Sequence, residues 1–576
     1  LSWSGQSLKV NGDRLVIPFT RPAQVGATSY DGGEIVSHLR AGRVPAARSV
    51  NDGTGAASGV LAWSFQLAPG DSVTTAIEIP LTTSLRSNLA PGSLDLLEQA
   101  LAETTAWWEE QLDRATVSLP ASGDHLARTI RSTIGWIMIN RDGASIQPGS
   151  RSYERSWIRD GSLTSAALLR FGHPEMVRDF TRWYAEYLYP DGKVPCCVDQ
   201  RGADPVPEHD SHGEFIYLVM EYFRHTGDTT MLAAMWPRVV KTAGYIDSLR
   251  QTHRTAEYRD SAKAAFFGLL PPSISHEGYS AKAMHSYWDD FFALRGLKDA
   301  AAMAAVLGKS DEAARLGAMR DEFRHDLLAS LDRVQREKGI DYLPGAADLG
   351  DFDATSTTIA LTPVGEQANL PADALQHTFE RYWKQVSVRW TTDTTWEAYT
   401  PYELRSVGAL LRIFGRERAL WLMHQFLDDQ EPPTWNQWPE IVWRDRRSAK
   451  FIGDSPHTWV GSDFLRSAAD LFVYEDDLTD ALVVGAGIDS RWLDGSGVAV
   501  RHLSTWYGPL SYTMKRDGSR VRMELAAGLR IPAGGVRVVA PALPGLTRVT
   551  VNGTAATLSG GAVTLRAVPA TVVFEY

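Results

Sequence analysis

The chain has 576 residues, of which 44% are hydrophobic and 22% charged, the proportions of a folded globular protein rather than of a disordered chain. Its formal net charge of −11 argues against a nucleic-acid partner, because phosphate binding needs a basic face. No stretch approaches the roughly 18 consecutive apolar residues of a membrane span.

Two features of the sequence bear on its compartment. The chain begins with Leu1 rather than Met, which fits the removal of a leader or cutting from a longer chain. Our expectation for localisation is a secreted or periplasmic bacterial protein. Its two cysteines, Cys196 and Cys197, are adjacent and exclude a disulfide framework, since a bond between them would be a strained vicinal bridge.

Both ends of the sequence have the pattern of β-structure. Residues 1–90 alternate apolar and polar positions between Gly, Pro, Asn and Asp, which predicts a β-sandwich. A helical linker is expected over 91–118, where the period lengthens to about 3.6 residues. Alternation returns over 476–576, with Asn552-Gly553 and Gly560-Gly561 as hairpin turns, so we predict a C-terminal β-sandwich domain.

The middle of the chain, residues 119–475, is a succession of about twelve helical segments separated by loops rich in Gly, Pro, Asp and Trp. Strand alternation is absent there, so we expect antiparallel helix pairs. An (α/α)6 barrel, a six-hairpin toroid, closes such pairs most simply. The predicted fold class is therefore mainly α, an (α/α)6 toroid with an N-terminal β-sandwich and a C-terminal β-domain.

Acidic clusters begin several of the predicted helices, and the loops at one end of a helical barrel line its cavity. The first cluster, RSWIRDGSL, holds Arg159 and Asp160 beside Trp157. The planar fork of Arg and the acceptor oxygens of Asp suit neighbouring hydroxyls of a sugar. A local ion pair that caps the helix is the alternative.

The second cluster, VPEHDSHGEF, contains Glu208, His209, Asp210, His212 and Glu214. This set could hold a metal ion, but its spacing matches no zinc motif such as HExxH, so we predict no metal. Substrate contact through Glu208 and Asp210 and a structural cap by Asp210 both remain open.

The third cluster, HSYWDDFFALR, places Asp289 and Asp290 directly after Trp288. An apolar wall disfavours an ionised carboxyl and raises its pKa, as a general acid requires. The alternative is a helix N-terminus whose acidic residues favour the helix dipole.

The fourth cluster is the long loop TWNQWPEIVWRDRRSAKFIGDSPHTW. It surrounds Glu440 with tryptophans, Trp438 among them, and ends with His457 and Trp459. A surface loop seldom leaves so much indole in water, so the pattern favours a ligand cavity. The basic residues of the loop leave an anionic sugar open as substrate.

Two carboxylates in a Trp-lined cavity are suited to glycosidic cleavage. One protonated carboxyl donates to the leaving oxygen, and the other activates water or attacks carbon. The candidates are Asp289 and Glu440, which only a closed barrel could bring together.

The order of WIRDG, YWDDFFALRG and NQWPEIVW along these helices resembles the (α/α)6 glycoside hydrolases of the glucoamylase, trehalase and processing-glucosidase group. The resemblance implies that Arg159 and Asp160 bind the terminal sugar, that Asp289 is the general acid, and that Glu440 is the general base. Glucoamylases have Glu where Asp289 stands, and a C-terminal β-domain is more usual in helical-barrel phosphorylases and rhamnosidases.

These observations predict an inverting exo-glycosidase for an α-linked oligo- or polysaccharide. The expected substrate contacts are Trp157, Arg159, Asp160, Glu208, Asp210, Trp288, Asp290, Trp438, His457 and Trp459. No cofactor is expected, although calcium could stiffen the acidic loop DLGDFDATS. A glycoside phosphorylase, a polysaccharide lyase on the same toroid and a non-catalytic carbohydrate-binding protein are the alternatives.

Overall fold

The computed structural model describes most of the chain, namely residues 1–81, 94–149, 153–259, 261–391, 395–448 and 452–576. The described residues form two compact units, Leu1–Gln111 and Leu112–Tyr576. Among the described helices, none is both long enough and apolar enough to cross a membrane.

The first unit contains two small antiparallel sheets. Its elements are β1 (Ser2–Trp3), β2 (Leu8–Val10), β3 (Arg14–Pro18), β4 (Gln24–Thr28), α1 (Ile35–Arg40), β5 (Ser58–Ala62) and β6 (Ile77–Glu78). One sheet has the order β1-β2-β3-β6, and β4 pairs with β5 in the other. Residues 82–90, at the end of the predicted domain, lie outside the described residues.

The expected helical linker contains a helix and then a strand. Helix α2 spans Leu94–Leu112, and β7 (Thr116–Ser118) follows it. β7 pairs antiparallel with a strand of the C-terminal domain over Ala499–Arg501, so the end of this segment belongs to that sheet.

The second unit contains the helical toroid. Its helices are α3 (Asp124–Ile139), α4 (Ile158–Arg170), α5 (Pro174–Ala185), α6 (Asp210–Thr226), α7 (Thr229–Gln251), α8 (Ala256–Arg259), α9 (Tyr287–Val306), α10 (Ser310–Lys338), α11 (Ala354–Leu361), α12 (Ala372–Arg389), α13 (Arg405–Phe414), α14 (Arg416–Asp428) and α15 (Thr458–Phe472). Short strands lie between them: β8 (Ser156–Trp157), β9 (Cys197–Asp199), β10 (Gly202–Ala203), β11 (Ala398–Tyr399) and β12 (Val442–Trp443).

Contacts between the helices close a ring. They run from α4 to α6, α9, α11, α13, α15 and back to α4, while α3, α5, α7, α10, α12 and α14 pack outside this ring. The (α/α)6 prediction is confirmed. The inner helices are buried almost all round, as in α4, where every residue from Ile158 to Leu169 is buried. A helix that is buried on all sides has no face for solvent, so it must be surrounded by other elements, as it is in this ring.

The C-terminal β-domain consists of two sheets and belongs to the same unit as the toroid. Its strands are β13 (Val473–Asp476), β14 (Ala481–Val484), β15 (Val498–Thr505), β16 (Gly508–Asp517), β17 (Arg520–Leu525), β18 (Gly535–Val539), β19 (Arg548–Val551), β20 (Thr554–Ala555), β21 (Ala562–Leu565) and β22 (Ala570–Glu575). The sheet orders are β13-β14-β18-β21 and β20-β19-β22-β17-β16-β15-β7.

Both hairpin turns predicted in this domain are present. Asn552 and Gly553, with φ of 51° and 82°, connect β19 to β20. Gly560 and Gly561 lie between Ser559 and Ala562, which form an antiparallel bridge.

The closest crossing in the inner ring is between α6 and α9. A Cβ added to Gly213 of α6 would lie 1.9 Å from the carbonyl oxygen of Phe292, and one added to Gly296 would lie 2.8 Å from the Cα of Gly213. These two glycines let the two helix backbones meet, which brings the N-terminal residues of α6 and α9 close together.

We therefore predict that Gly213→Ala destabilises the protein by about 3 kcal/mol or more, because the new methyl group meets backbone that cannot move aside. Gly244→Ala is the matched control, since Gly244 is also helical and an added Cβ meets nothing within 4 Å. That substitution should be neutral or stabilise by up to about 1 kcal/mol. Urea unfolding of both variants measures the difference, and equal effects would contradict the close crossing.

Candidate active site

The residues singled out by the sequence gather at the N-terminal ends of the inner helices. Asp160 lies in the first turn of α4, Asp210 begins α6, and Asp289 and Asp290 lie in the first turn of α9. At α15, Trp459 follows directly after the first residue. Helix N-termini carry partial positive charge, so this end of the ring favours carboxylates.

A small cavity of about 30 Å³ opens at this end of the toroid. It is lined by Pro148, Tyr153, Trp157, Arg159, Asp160, Glu277, Tyr402, Glu440, His457 and Trp459. Six residues expected at the site are among them: Trp157, Arg159, Asp160, Glu440, His457 and Trp459. The other expected residues, Glu208, Asp210, Trp288, Asp289, Asp290 and Trp438, are not part of this lining.

Arg159 is the electrostatic centre of the cavity wall. Its Nη1 donates to Glu208 Oε2 at 2.6 Å and to Asp210 Oδ2 at 3.3 Å, and its guanidinium lies 5.0 Å from the ring centre of Trp459. All three polar side chains are buried. Glu208 and Asp210 therefore hold Arg159 in place from behind the cavity. The alternative that Asp210 caps α6 is wrong, because His209 occupies the N-cap position and Asp210 is the first helical residue.

Asp160 is a buried carboxyl in the cavity wall. Burial raises its pKa to about 8, against the opposing effect of Arg159. Its Oδ2 has no hydrogen-bond partner within the described part of the chain. At neutral pH the carboxyl is mostly protonated and can both donate to and accept from a ligand hydroxyl.

Glu440 approaches the cavity from the Trp-rich loop. Tyr153 donates its hydroxyl hydrogen to Glu440 Oε1 at 2.5 Å, and the Glu440 N–H donates to the Asp454 carbonyl at 2.9 Å. Burial raises the pKa of Glu440, while the Tyr153 hydrogen bond acts in the opposite direction. Tyr153 was not expected from the sequence and is the residue that most directly controls this carboxylate.

Glu277 is a second carboxylate that the sequence motifs do not reveal. It is exposed at the edge of the cavity and has a positive φ of 65°; Ser275, two residues before it, has a φ of 54°. Non-glycine residues seldom adopt this conformation, and it costs about 1 kcal/mol or more at each position. Strain of this kind is characteristic of functional sites. Seven residues separate the segment SISHEGYS from the WDD motif, but no spacing in it identifies Glu277.

Asp289, the expected acid, is not one of the residues that line the cavity and lies behind them. Its two oxygens accept hydrogen bonds from the Ser273 hydroxyl at 2.6 Å and the Ser275 hydroxyl at 2.7 Å. Burial, with Asp210 nearby, raises its pKa well above the usual range. Asp290, expected to contact substrate, accepts the backbone N–H of Leu270 at 2.9 Å and is buried in the protein interior.

Two expected aromatic contacts also lie outside the lining. Trp288 donates its indole N–H to Asp210 Oδ2 at 2.8 Å and stacks on His276, with ring centres 4.7 Å apart. Trp438 is buried against Phe464, although its carbonyl accepts the His457 N–H at 2.8 Å. Trp288 therefore supports Asp210, and Trp438 supports His457.

His457 is neutral in this environment, since burial lowers its pKa to about 3. Its Nδ1 accepts the Val460 N–H at 3.4 Å, which leaves the ring hydrogen on Nε2. The ring also meets those of Tyr153 and Tyr402 edge-on, at 5.5 and 5.7 Å between centres.

Possible metal ligands lie elsewhere. In the part of the chain that the structure describes, Cys196, Cys197 and Asp204 form a group compact enough to hold an ion, whereas the 208–214 segment does not. In the loop proposed for calcium, Asp351 accepts from the Tyr279 hydroxyl and the Ala346 N–H, so protein donors already surround it.

A larger cavity, of about 370 Å³, lies at the other end of the inner helices. Arginines near the helix C-termini line it, and they are paired with carboxylates: Arg170 with Glu475 at 2.5 Å and Arg412 with Asp470 at 2.6 Å. Cations at helix C-termini stabilise the helix dipoles, so these pairs have a structural explanation.

Comparison with known proteins finds a domain that part of the toroid is similar to. Residues 152–362 match the model of the bacterial α-L-rhamnosidase six-hairpin glycosidase domain. No curated protein matches the chain. Over these residues the toroid is therefore similar to six-hairpin glycosidase domains, and the match does not single out the glucoamylase and trehalase group that its motifs resemble.

Solved structures of rhamnosidases share the fold at low sequence identity. The α-L-rhamnosidase from Dictyoglumus thermophilum is 12% identical, with a TM-score of 0.54 over 80% of this chain and 50% of that one. The Streptomyces avermitilis enzyme complexed with L-rhamnose is 14% identical, with a TM-score of 0.54 over 80% of this chain and 42% of that one. The chain thus spans half or less of the length of these proteins.

The Tyr153–Glu440 hydrogen bond predicts a change in pH dependence. Tyr153→Phe removes a donor that lowers the pKa of Glu440, so the pKa should rise and the acidic limb of kcat/KM should move to higher pH. The control is Tyr402→Phe, a cavity tyrosine whose ring contacts His457 and Trp459. In Tyr402→Phe the acidic limb of kcat/KM should stay at the pH it has in the unsubstituted protein. An unchanged limb in Tyr153→Phe would mean that this hydrogen bond does not control the group that titrates.

Proposed function

We propose that the protein is a glycoside hydrolase that removes a terminal α-linked L-rhamnose, or a closely similar 6-deoxy sugar, from an oligo- or polysaccharide with inversion. The observation that carries the proposal is the shared cavity of Glu277, Glu440, Arg159 and Asp160, walled by Trp157, Trp459 and Tyr402. The rhamnosidase domain match over 152–362 and the L-rhamnose in the similar Streptomyces structure support the choice of sugar.

The buried polar groups of the cavity wall support action at a chain end. Arg159 and Asp160 are buried in this wall, where they can bind the hydroxyls of a single terminal ring. The aromatic side chains suit the apolar methyl group of a 6-deoxy sugar. The rest of the substrate then extends out of the mouth, where Glu277 is exposed.

In the proposed mechanism Glu440 is the general base and Glu277 the general acid. Glu277 lines the cavity and is exposed at its edge, so it is suited to protonate the glycosidic oxygen of a leaving group that departs toward solvent. Glu440, held by Tyr153, removes a proton from the attacking water. An inverting enzyme keeps these carboxyls about 6.5–9.5 Å apart to admit the water. Asp289, buried behind the wall, has no direct role in this proposal.

The charges of the cavity favour a neutral sugar over the alternatives. Among the described lining residues Arg159 is the cation, and Glu208 and Asp210 already bind it. A uronate or a phosphate would therefore face Glu277 and Glu440 without a free positive partner. This argues against a polysaccharide lyase and a glycoside phosphorylase.

The first prediction of this proposal concerns the product. In a panel of α- and β-linked glycosides of L-rhamnose, D-glucose and uronic acids, we expect turnover of α-L-rhamnosides with β-L-rhamnose as the first product. Proton NMR of the fresh reaction distinguishes the anomers.

Two other results of the same experiment would each contradict part of the proposal. Release of D-glucose would show that the sugar removed is glucose rather than L-rhamnose, and would favour the resemblance to glucoamylases. A retained anomer would exclude the water mechanism and point to Tyr153 as nucleophile with Glu440 as its base, an arrangement that their 2.5 Å hydrogen bond allows.

The second prediction separates the two carboxylates by leaving group. Glu440→Gln should slow turnover by about 10²–10⁴-fold on every substrate, because water must be activated whatever the leaving group. Glu277→Gln should slow it to a similar extent on disaccharides but only slightly on nitrophenyl glycosides, whose leaving groups need little protonation. Calorimetry with the product sugar should show that both variants still bind. Equal losses on both substrate types in Glu277→Gln would refute its role as acid.

A further inference from the structure

The segment that carries Glu277 is a closed loop whose conformation needs outside support. Ser273 and Met284 exchange backbone hydrogen bonds at 3.1 and 3.0 Å and so join its two ends. Between them, Ser275 and Glu277 both adopt positive φ, which a free loop of non-glycine residues would leave. Contacts from the surrounding protein must therefore hold the loop.

Those contacts converge on Asp289. One carboxyl oxygen accepts from Ser273 and the other from Ser275, at 2.6 and 2.7 Å. The Ser273 hydroxyl in turn accepts the Ser275 N–H at 2.8 Å, which closes a small network between the two serines and the carboxyl. Asp289 itself is fixed at the start of a buried inner helix, so the network transmits a rigid position to the loop.

The residues next to this network extend the same support. His276, between Ser275 and Glu277, stacks on Trp288, the neighbour of Asp289, at 4.7 Å. Its Nε2 lies 3.0 Å from the Ser356 hydroxyl of α11. The backbone on the N-terminal side of Glu277 is thus anchored at two successive residues to the inner ring.

From this geometry we infer that Asp289 is a positioning residue, which places the carboxyl of Glu277 in the cavity through Ser273 and Ser275. The inference rests on the proposed function, in which Glu277 is the general acid. It gives the WDD motif a role in catalysis although neither of its aspartates lines the cavity.

The test uses leaving-group dependence in Asp289→Asn. The amide keeps the size of the side chain but offers one acceptor oxygen instead of two, so one serine is released. If the acid is displaced, turnover of a rhamnosyl disaccharide should fall at least 10-fold and turnover of the 4-nitrophenyl glycoside less than threefold, with KM nearly unchanged. Ser275→Ala should show the same pattern to a smaller extent, and it provides the test should Asp289→Asn fail to fold.

The matched control is Asp290→Asn. Asp290 is the adjacent buried aspartate on the same helix turn, and it binds the Leu270 N–H rather than the loop. Its substitution should lower the unfolding midpoint and should change the turnover of both substrates by the same factor. Equal losses on both substrates in Asp289→Asn, or no loss on either, would overturn the inference.

The double variant Asp289→Asn/Glu277→Gln separates positioning from direct proton donation. If Asp289 acts through Glu277, the double variant should be within about twofold of Glu277→Gln alone, since no acid is left to position. If the losses of turnover from the two single variants instead multiply in the double variant, the inference would be overturned and Asp289 would have a role of its own. Failure of Glu277→Gln to show the leaving-group pattern would instead refute the proposed acid, so the two failures are distinguishable.

Discussion

The arrangement of the site depends on one buried cation. Arg159 binds Glu208 and Asp210 across the junction of α4 and α6, and Asp210 also accepts the indole N–H of Trp288 at the start of α9. Three inner helices are thereby joined at their N-terminal ends. Without the guanidinium, two buried carboxylates would lose their partner, and an unpaired buried charge typically costs several kcal/mol.

Backbone packing allows this junction to form. Gly213 and Gly296 bring α6 and α9 into direct backbone contact, which places Asp210 within hydrogen-bond reach of Trp288. The same close approach places Asp289 and Asp290 deep in the protein, where each oxygen of Asp289 accepts a hydrogen bond from a serine. Close helix packing thus accounts for the burial of both aspartates.

The carboxyl groups of this region differ in environment, and their chemistry differs accordingly. Asp160, buried beside Arg159, is largely protonated at neutral pH and suited to bind a hydroxyl. Glu440 is partly buried and is restrained by Tyr153, whereas Glu277 is exposed at the cavity edge on a strained loop. Burial, hydrogen bonding and exposure, rather than residue type, thus separate binding from candidate acid and base positions.

The sequence by itself determined the architecture and a large part of the cavity wall. Hydrophobic periodicity of 3.6 over the middle of the chain and of 2 at its ends specifies helices and strands, because each period places apolar residues on the face that must be buried. Local motifs also identified Trp157, Arg159, Asp160, Glu440, His457 and Trp459. Five of them lie at or beside a helix start that the pattern already indicates, whereas Glu440 lies in the Trp-rich loop. Only the tertiary structure decided which carboxyls reach the cavity. Asp289 and Glu277 are twelve residues apart in the chain, yet the first is buried with two serine hydroxyls bonded to it and the second is exposed. Such a choice depends on distances between segments, which a linear pattern does not contain.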